Sequence, residues 1–237
     1  VKHVIPVANG TDALQIALMA LEIGPGDEVI TPDFTFIATV EAVALLGAKP
    51  VLIDVNPHDF NLNAEILEAH ITPKTKAIIP VHLFGQCSNM DIILQIAKKY
   101  NLTVIEDAAQ AVGTMYKGSS YSGMAGTIGD IGCTSFFPSK NLGCFGDGGA
   151  LFTNSDSLAD KIKSIANHGS KIKYYHELIG VNSRLDTIQA AVLNIKLQHL
   201  NDFNLRRQQA ARFYDNAFQD CKQIQIPHRN RFSDHIF

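Results

Sequence analysis

The feature that most limits what this chain can become is its alternation of short apolar runs with segments of helical period. Runs of strand length occur at 29–31, 50–55, 77–82, 103–106, 132–136 and 150–153. Between them, 11–23 places Leu14, Ala17, Leu18 and Leu21 on one helical face and stops at Gly24. The stretch 39–46 is followed by Gly47, and 90–100 sets Ile93, Ile96 and Ala97 opposite Lys98 and Lys99. Parallel strands need long crossovers and a cover on both sheet faces. The pattern therefore predicts an α/β fold of three layers, a mostly parallel sheet with helices on both faces.

Beyond Asn154 the texture turns helical. Ser155 is placed to cap a helix over 158–167, and 183–200 and 201–218 read as two long amphipathic helices. We expect a large domain over 1–200, and over 201–237 the start of a connecting helix and of a small C-terminal domain that is largely absent. Val1 to Val7 opens as though inside a strand without an initiating methionine, and Phe237 closes no element. Segments beyond both ends are expected to contribute to any site.

Composition excludes several functions. The 237 residues carry a net charge of −3 with scattered basic side chains, which argues against a nucleic-acid or anionic-membrane surface. No apolar stretch approaches the ~20 residues that span a bilayer, and no signal peptide opens the chain. Cys87, Cys133, Cys144 and Cys221 lack metal or disulfide spacing and read as reduced thiols of a cytoplasmic protein. The nine histidines show no metal spacing. His82 and His168 are expected to be structural, and no metal is expected.

Ligands of α/β sheets gather at the carboxyl ends of strands. Three segments belong there: NGTD at 9–12, VIEDAAQ at 104–110, and CTSFFPSKNLG at 133–143 followed by GDGGA at 146–150. Lys140 sits among Phe136, Phe137, Pro138 and Leu142 with no adjacent acid. A lysine so placed can shed its proton and form Schiff bases. Asp107 ends a strand; at ~4 Å a carboxylate stabilises a pyridinium by ~4 kcal/mol at an effective dielectric of ~20. Lysine and aspartate together read as a pyridoxal 5′-phosphate site. Alternation turns Glu106 to the opposite face. Gly10 and Thr11 open a helix whose N–H groups suit a phosphate, with Ser135 adding a hydroxyl; plain N-capping is the alternative. Phe36 could stack on a flat ring or pack in the core, and Asp107 could merely cap a helix.

Taken jointly, six ordered stretches resemble the DegT/DnrJ/EryC1/StrS sugar aminotransferases: NGTDAL at 9–14, GPGDEVITP at 24–32, PVHLFGQ at 80–86, VIEDAAQ at 104–110, 135–149, and GVNSRLD at 180–186. The resemblance implies the fold-type-I large domain and pyridoxal phosphate. It makes Lys140 the Schiff-base lysine and proton carrier, pairs Asp107 with the pyridine nitrogen, and sets Gln110 near the phenolic oxygen. Gly10, Thr11 and Ser135 would hold the phosphate, Phe36 would stack on the ring, and Asn182 would reach the phosphate of a neighbouring subunit in a homodimer with shared sites. Finer matches are similar to enzymes that aminate C3 of UDP-linked 3-keto-hexuronic acids for surface polysaccharide biosynthesis, with glutamate as donor. Arg184 is then a candidate for the substrate carboxylate, against an ion pair with Asp186 or a helix cap. Alternatives are a C4-aminotransferase on a UDP- or dTDP-4-keto-6-deoxyhexose and a non-catalytic protein of the same fold. A dinucleotide-binding oxidoreductase is disfavoured, because GTIGDIG at 126–132 has the wrong spacing.

Overall fold

The computed structural model describes residues 1–237. In chain order the elements are β1 (His3–Val7), α1 (Gly10–Ala20), β2 (Glu28–Pro32), α2 (Ala38–Leu45), β3 (Lys49–Ile53), β4 (Thr75–Ile78) and α3 (Met90–Tyr100). There follow β5 (Thr103–Asp107), β6 (Met115–Lys117), β7 (Ser122–Met124), β8 (Ile131–Ser135), β9 (Gly149–Thr153) and α4 (Asp156–Ala166). The short pair β10 (Ser170–Ile172) and β11 (Tyr175–His176) precedes α5 (Thr187–Leu197) and α6 (Leu200–Phe218).

Seven strands form one sheet in the order β1-β9-β8-β5-β4-β2-β3. The pairs β2–β3, β2–β4, β4–β5 and β5–β8 are parallel, while β9 runs antiparallel to both β8 and β1. The sheet is thus mostly parallel. Because β9 reverses between them, Val7, Ser135 and the start of β9 at Gly149 meet at one edge of the sheet.

Alternation divides the core in two. Val29, Ala77, Ile105, Ile131 and Cys133 pack with α1, α2 and α4. Their strand neighbours Ile30, Ile78 and Val104 pack with Met90, Ile93, Ile96 and Ala97 of α3 and with Tyr116. Helices therefore cover both faces, each with a stripe of the predicted period. A third cluster joins Phe136, Leu142 and Cys144 to Leu193 and Leu200, seating the loop after β8 against α5 and α6.

Several boundaries moved for physical reasons. The run 77–82 stops as β4 at Ile78; Pro80 has no N–H to give, and Val81 only bridges to Asp107. The strand expected over 50–55 is Lys49–Ile53, its pairing ending where β2 ends at Pro32. The helix expected from 183 begins at Thr187, because Ser183 is used in a tertiary contact described below. His168 is not a hydrogen-bonded structural side chain; it is exposed at φ 57°, and its backbone makes the contacts. After α6 the chain returns across the large sheet domain, with Ser233 bridging Tyr116 and His235 bridging Gln86.

Candidate active site

At the carboxyl edge of the sheet lies a cavity of about 660 Å³, lined among others by Gly10, Thr11, Phe36, Asp107, Gln110, Ser135 and Lys140. These seven come from four separate stretches of chain. The topology assembles them, since the parallel strands send their carboxyl ends, and the helix starts that follow them, to one side.

The floor is the start of α1. Asn9, not Gly10 or Thr11, is the N-cap: its side-chain Oδ1 accepts from Asp12 N–H at 2.8 Å and its carbonyl accepts from Ala13 N–H at 3.1 Å. The N–H groups of Gly10 and Thr11 are the helix's remaining orphans, and both residues line the cavity. A methyl group on Gly10 would come within 2.7 Å of Ser135 Cβ, so only glycine lets the helix start pass over the end of β8.

Asp107 and Glu106 are neighbours with opposite surroundings. Asp107 follows Ile105 onto the α1–α2 face, lines the cavity and is 7% exposed. Its Oδ2 accepts from the Thr39 hydroxyl at 2.8 Å and its Oδ1 from Ala109 N–H at 3.1 Å. The second bond is a local turn, and no helix follows, so Asp107 is not the cap of one. Glu106 follows Val104 to the α3 face and is fully buried. It accepts from Gly126, Ile128 and Gly129 N–H and from His82 Nε2 at 2.7 Å. His82 Nδ1 accepts from Ser88 N–H, so Nε2 carries the proton, and the ring is structural as expected.

Lys140 stands on a turn closed by its own N–H donating to Phe137 O at 2.9 Å. The loop is pinned by Phe136 N–H to Gly148 O and by Cys144 N–H to Phe136 O. Asn141, next to the lysine, donates to Val112 O and to Asn204 Oδ1 of α6. Burial holds the Lys140 amine below the ordinary lysine value, against the opposing pull of the Asp107 charge. Burial also drives the Cys133 thiol well up, with the Asp107 and Glu106 charges adding to it, so that sulfur is an inert neighbour.

Phe36 lines the cavity at 68% exposure, which removes core packing as its role. Gln110 Oε1 accepts from Phe84 N–H at 2.8 Å. The structure does not bring Asn182 or Arg184 into the cavity; both are exposed on the loop before α5. Arg184 makes no ion pair with Asp186, which sits at the α5 N-cap without a side-chain bond. What ties that loop down is Ser183, whose Oγ accepts from Ala8 N–H and donates to Asp12 Oδ2. Sequence reading missed Ser183, Thr39 and Asn141, whose partners are far along the chain, and Thr35, whose partner is Thr39.

The profile of the DegT/DnrJ/EryC1/StrS aminotransferase family matches residues 1–237. The chain belongs to this family. It is 58% identical over 214 residues to the UDP-2-acetamido-2-deoxy-3-oxo-D-glucuronate aminotransferase of Pseudomonas aeruginosa, covering 90% of this chain and 58% of that one. To the UDP-N-acetyl-3-dehydro-alpha-D-glucosamine 3-aminotransferase of Acidithiobacillus ferrooxidans it is 48% identical, covering all of this chain and 63% of that one. Among solved structures, DesV of S. venezuelae, in complex with a ketimine intermediate, superposes with a TM-score of 0.95 at 43% identity, covering 99% of this chain and 62% of that one. The chain thus spans about three fifths of the length of these relatives.

Proposed function

We propose that this protein is a pyridoxal-phosphate-dependent aminotransferase that moves an amino group from glutamate to a nucleotide-linked keto sugar, in the cytoplasm. The observation that carries the reading is one cavity holding a lysine depressed by burial and a strand-end carboxylate beside an orphaned helix start. Three buried, unpaired cysteines fit a reducing compartment, and no helix is long and apolar enough to cross a membrane.

The residues present fit the cofactor. The orphaned Gly10 and Thr11 N–H groups and the Ser135 hydroxyl would receive its phosphate, Asp107 its ring nitrogen, and Phe36 one ring face. When bound, the cofactor supplies an aldehyde and an electron-withdrawing ring that stabilises a carbanion. Lys140 Nζ, whose hold on its proton is weakened by burial, takes the proton from the amino-bearing carbon of the donor. It later delivers a proton to the sugar carbon at which nitrogen is installed. Asp107 acts through its charge and transfers no proton.

For the substrate, a UDP-linked 3-keto-hexuronic acid is favoured by the 58% identical relative, whose name carries the same sugar type. The 48% identical relative is named for a neutral 3-keto sugar. Exposed Arg184 offers the guanidinium that would prefer the acid, and Asn182 beside it would reach a partner subunit's phosphate in a homodimer with shared sites. With glutamate, pyridoxal phosphate and both UDP-keto sugars, the full-length enzyme is expected to add nitrogen faster to the uronate, read by mass. Lys140→Ala should abolish turnover and the borohydride-trapped adduct; wild-type turnover in that variant would remove the lysine from its role.

A further inference from the structure

We infer that Thr39 is a positioning residue for the proposed reaction: with Thr35 behind it, its hydroxyl fixes the face that Asp107 presents to the ring nitrogen of a bound pyridine cofactor. The inference rests on the cofactor reading above and extends it to residues outside the family stretches identified in the sequence.

The backbone of Asp107 has no freedom left. Its N–H donates to Pro80 O at 2.9 Å and its carbonyl accepts from His82 N–H at 3.0 Å, while Ala108 N–H is taken by Cys133 O at 2.8 Å. Only rotation of the side chain remains, and two donors stop it, one on each carboxylate oxygen. The Ala109 N–H is part of the same turn as Asp107 and would follow it. Thr39 comes from α2, 68 residues away in sequence, and is the one donor that ties the carboxylate to another element.

Thr39 is fully buried, as a threonine in the first turn of a helix need not be. A hydroxyl has one proton, and Thr39 gives it to Asp107. The 3.0 Å contact between Thr39 Oγ1 and Thr35 Oγ1 must then be donated by Thr35. The polarity of the chain is fixed: Thr35 to Thr39 to Asp107. Thr35 and Phe36 both line the cavity, so the segment leading into α2 carries a ring-stacking residue and the start of this relay, and the first turn of α2 carries its buried link. Successive hydroxyls in a buried chain polarise one another. The effect is to hold the carboxylate in one plane as an acceptor aimed from a rigid frame, which is what a permanent proton on the ring nitrogen requires.

The test uses full-length holoenzyme loaded with pyridoxal phosphate labelled with ¹⁵N in the ring, and compares Thr39→Val, Thr39→Ser and Thr35→Ala. In the wild type the ring-nitrogen resonance should report the protonated form. Thr39→Val, nearly the same volume, should move it towards the unprotonated position and lower kcat by roughly tenfold to hundredfold, the worth of a hydrogen bond to a charged group. KM for the sugar nucleotide should stay within about twofold, because Thr39 is buried away from any substrate. Thr39→Ser should restore both signals, and Thr35→Ala should move them in the same direction by less. A wild-type resonance and rate in Thr39→Val overturns the inference, as does a shifted resonance that serine does not restore. If Thr39→Val does not fold, Thr35→Ala decides, and an unmoved resonance there overturns it. A wild-type protein that retains no cofactor instead overturns the proposed function.

Discussion

Glu106 and Asp107 are adjacent acids on one strand, yet one is a finished structural device and the other an open one. Glu106 has four donors from His82 and three backbone N–H groups, and no exposure. Asp107 has two donors and a face on the cavity. A carboxylate can accept about four hydrogen bonds. Glu106 has filled that capacity within the protein, whereas Asp107 has kept part of it for something else. Saturation of acceptors, more than burial or charge, separates a group that holds the fold from one that awaits a ligand.

The comparison can be broken most severely at Glu106. Glu106→Ala would leave the His82 and Gly126 N–H groups buried, and those of Ile128 and Gly129 half-buried, without partners, at about 1–3 kcal/mol each. We expect at least about 4 kcal/mol of lost stability, a large share of a fold worth about 5–15 kcal/mol in total. Thermal unfolding checks this, and a melting temperature within about 2 °C of wild type would mean those donors find water or other acceptors. Asp107→Asn should do the reverse. It keeps the shape and one acceptor but removes the charge, so the melting temperature should barely move. Meanwhile kcat/KM should fall by about a thousandfold, which is the ~4 kcal/mol of a charge pair at ~4 Å and an effective dielectric of ~20. If both substitutions cost stability and neither costs rate selectively, the two acids do not differ in kind.

Much of this was legible in the sequence, because period carries face. Period two along 104–107 assigned Asp107 and Glu106 to opposite sides, and the core clusters divide in that way. Helix α3 was legible from its stripe alone and runs over Met90–Tyr100 as read. The strand-end location of Gly10, Ser135 and Lys140 followed from topology. The partners did not follow. Thr39 lies 68 residues from Asp107 and Ser183 lies 171 from Asp12, and a buried hydroxyl reads the same as any threonine or serine until the fold closes. The hairpin of β6 and β7 was invisible for another reason. Its strands have three residues each, and the Asp91 carboxylate orders its turn by accepting from Ser119, Ser120 and Tyr121 N–H. Register ends were missed where a proline, or the end of the neighbouring strand, stopped a ladder that hydrophobicity would have continued.

A smaller effect sharpens the contrast, because the cavity side of the sheet should carry a cost that the Glu106 side does not. Burial lowers the Lys140 pKa from its ordinary value of 10.5 despite the nearby Asp107 charge. The folded state therefore gives up this proton more readily than the unfolded chain. Below the lowered value both states are protonated and the fold bears the full cost of confining an ammonium. As pH rises from there towards 10.5 the folded lysine is neutral while the unfolded one is still charged, and the cost disappears. Lys140→Met keeps the length and drops the charge, so without cofactor it should melt above the wild type at neutral pH. That gain should shrink steadily as the pH approaches the ordinary lysine range. A gain that is the same at every pH would come from packing alone, and the lysine would then be no more confined than a surface residue.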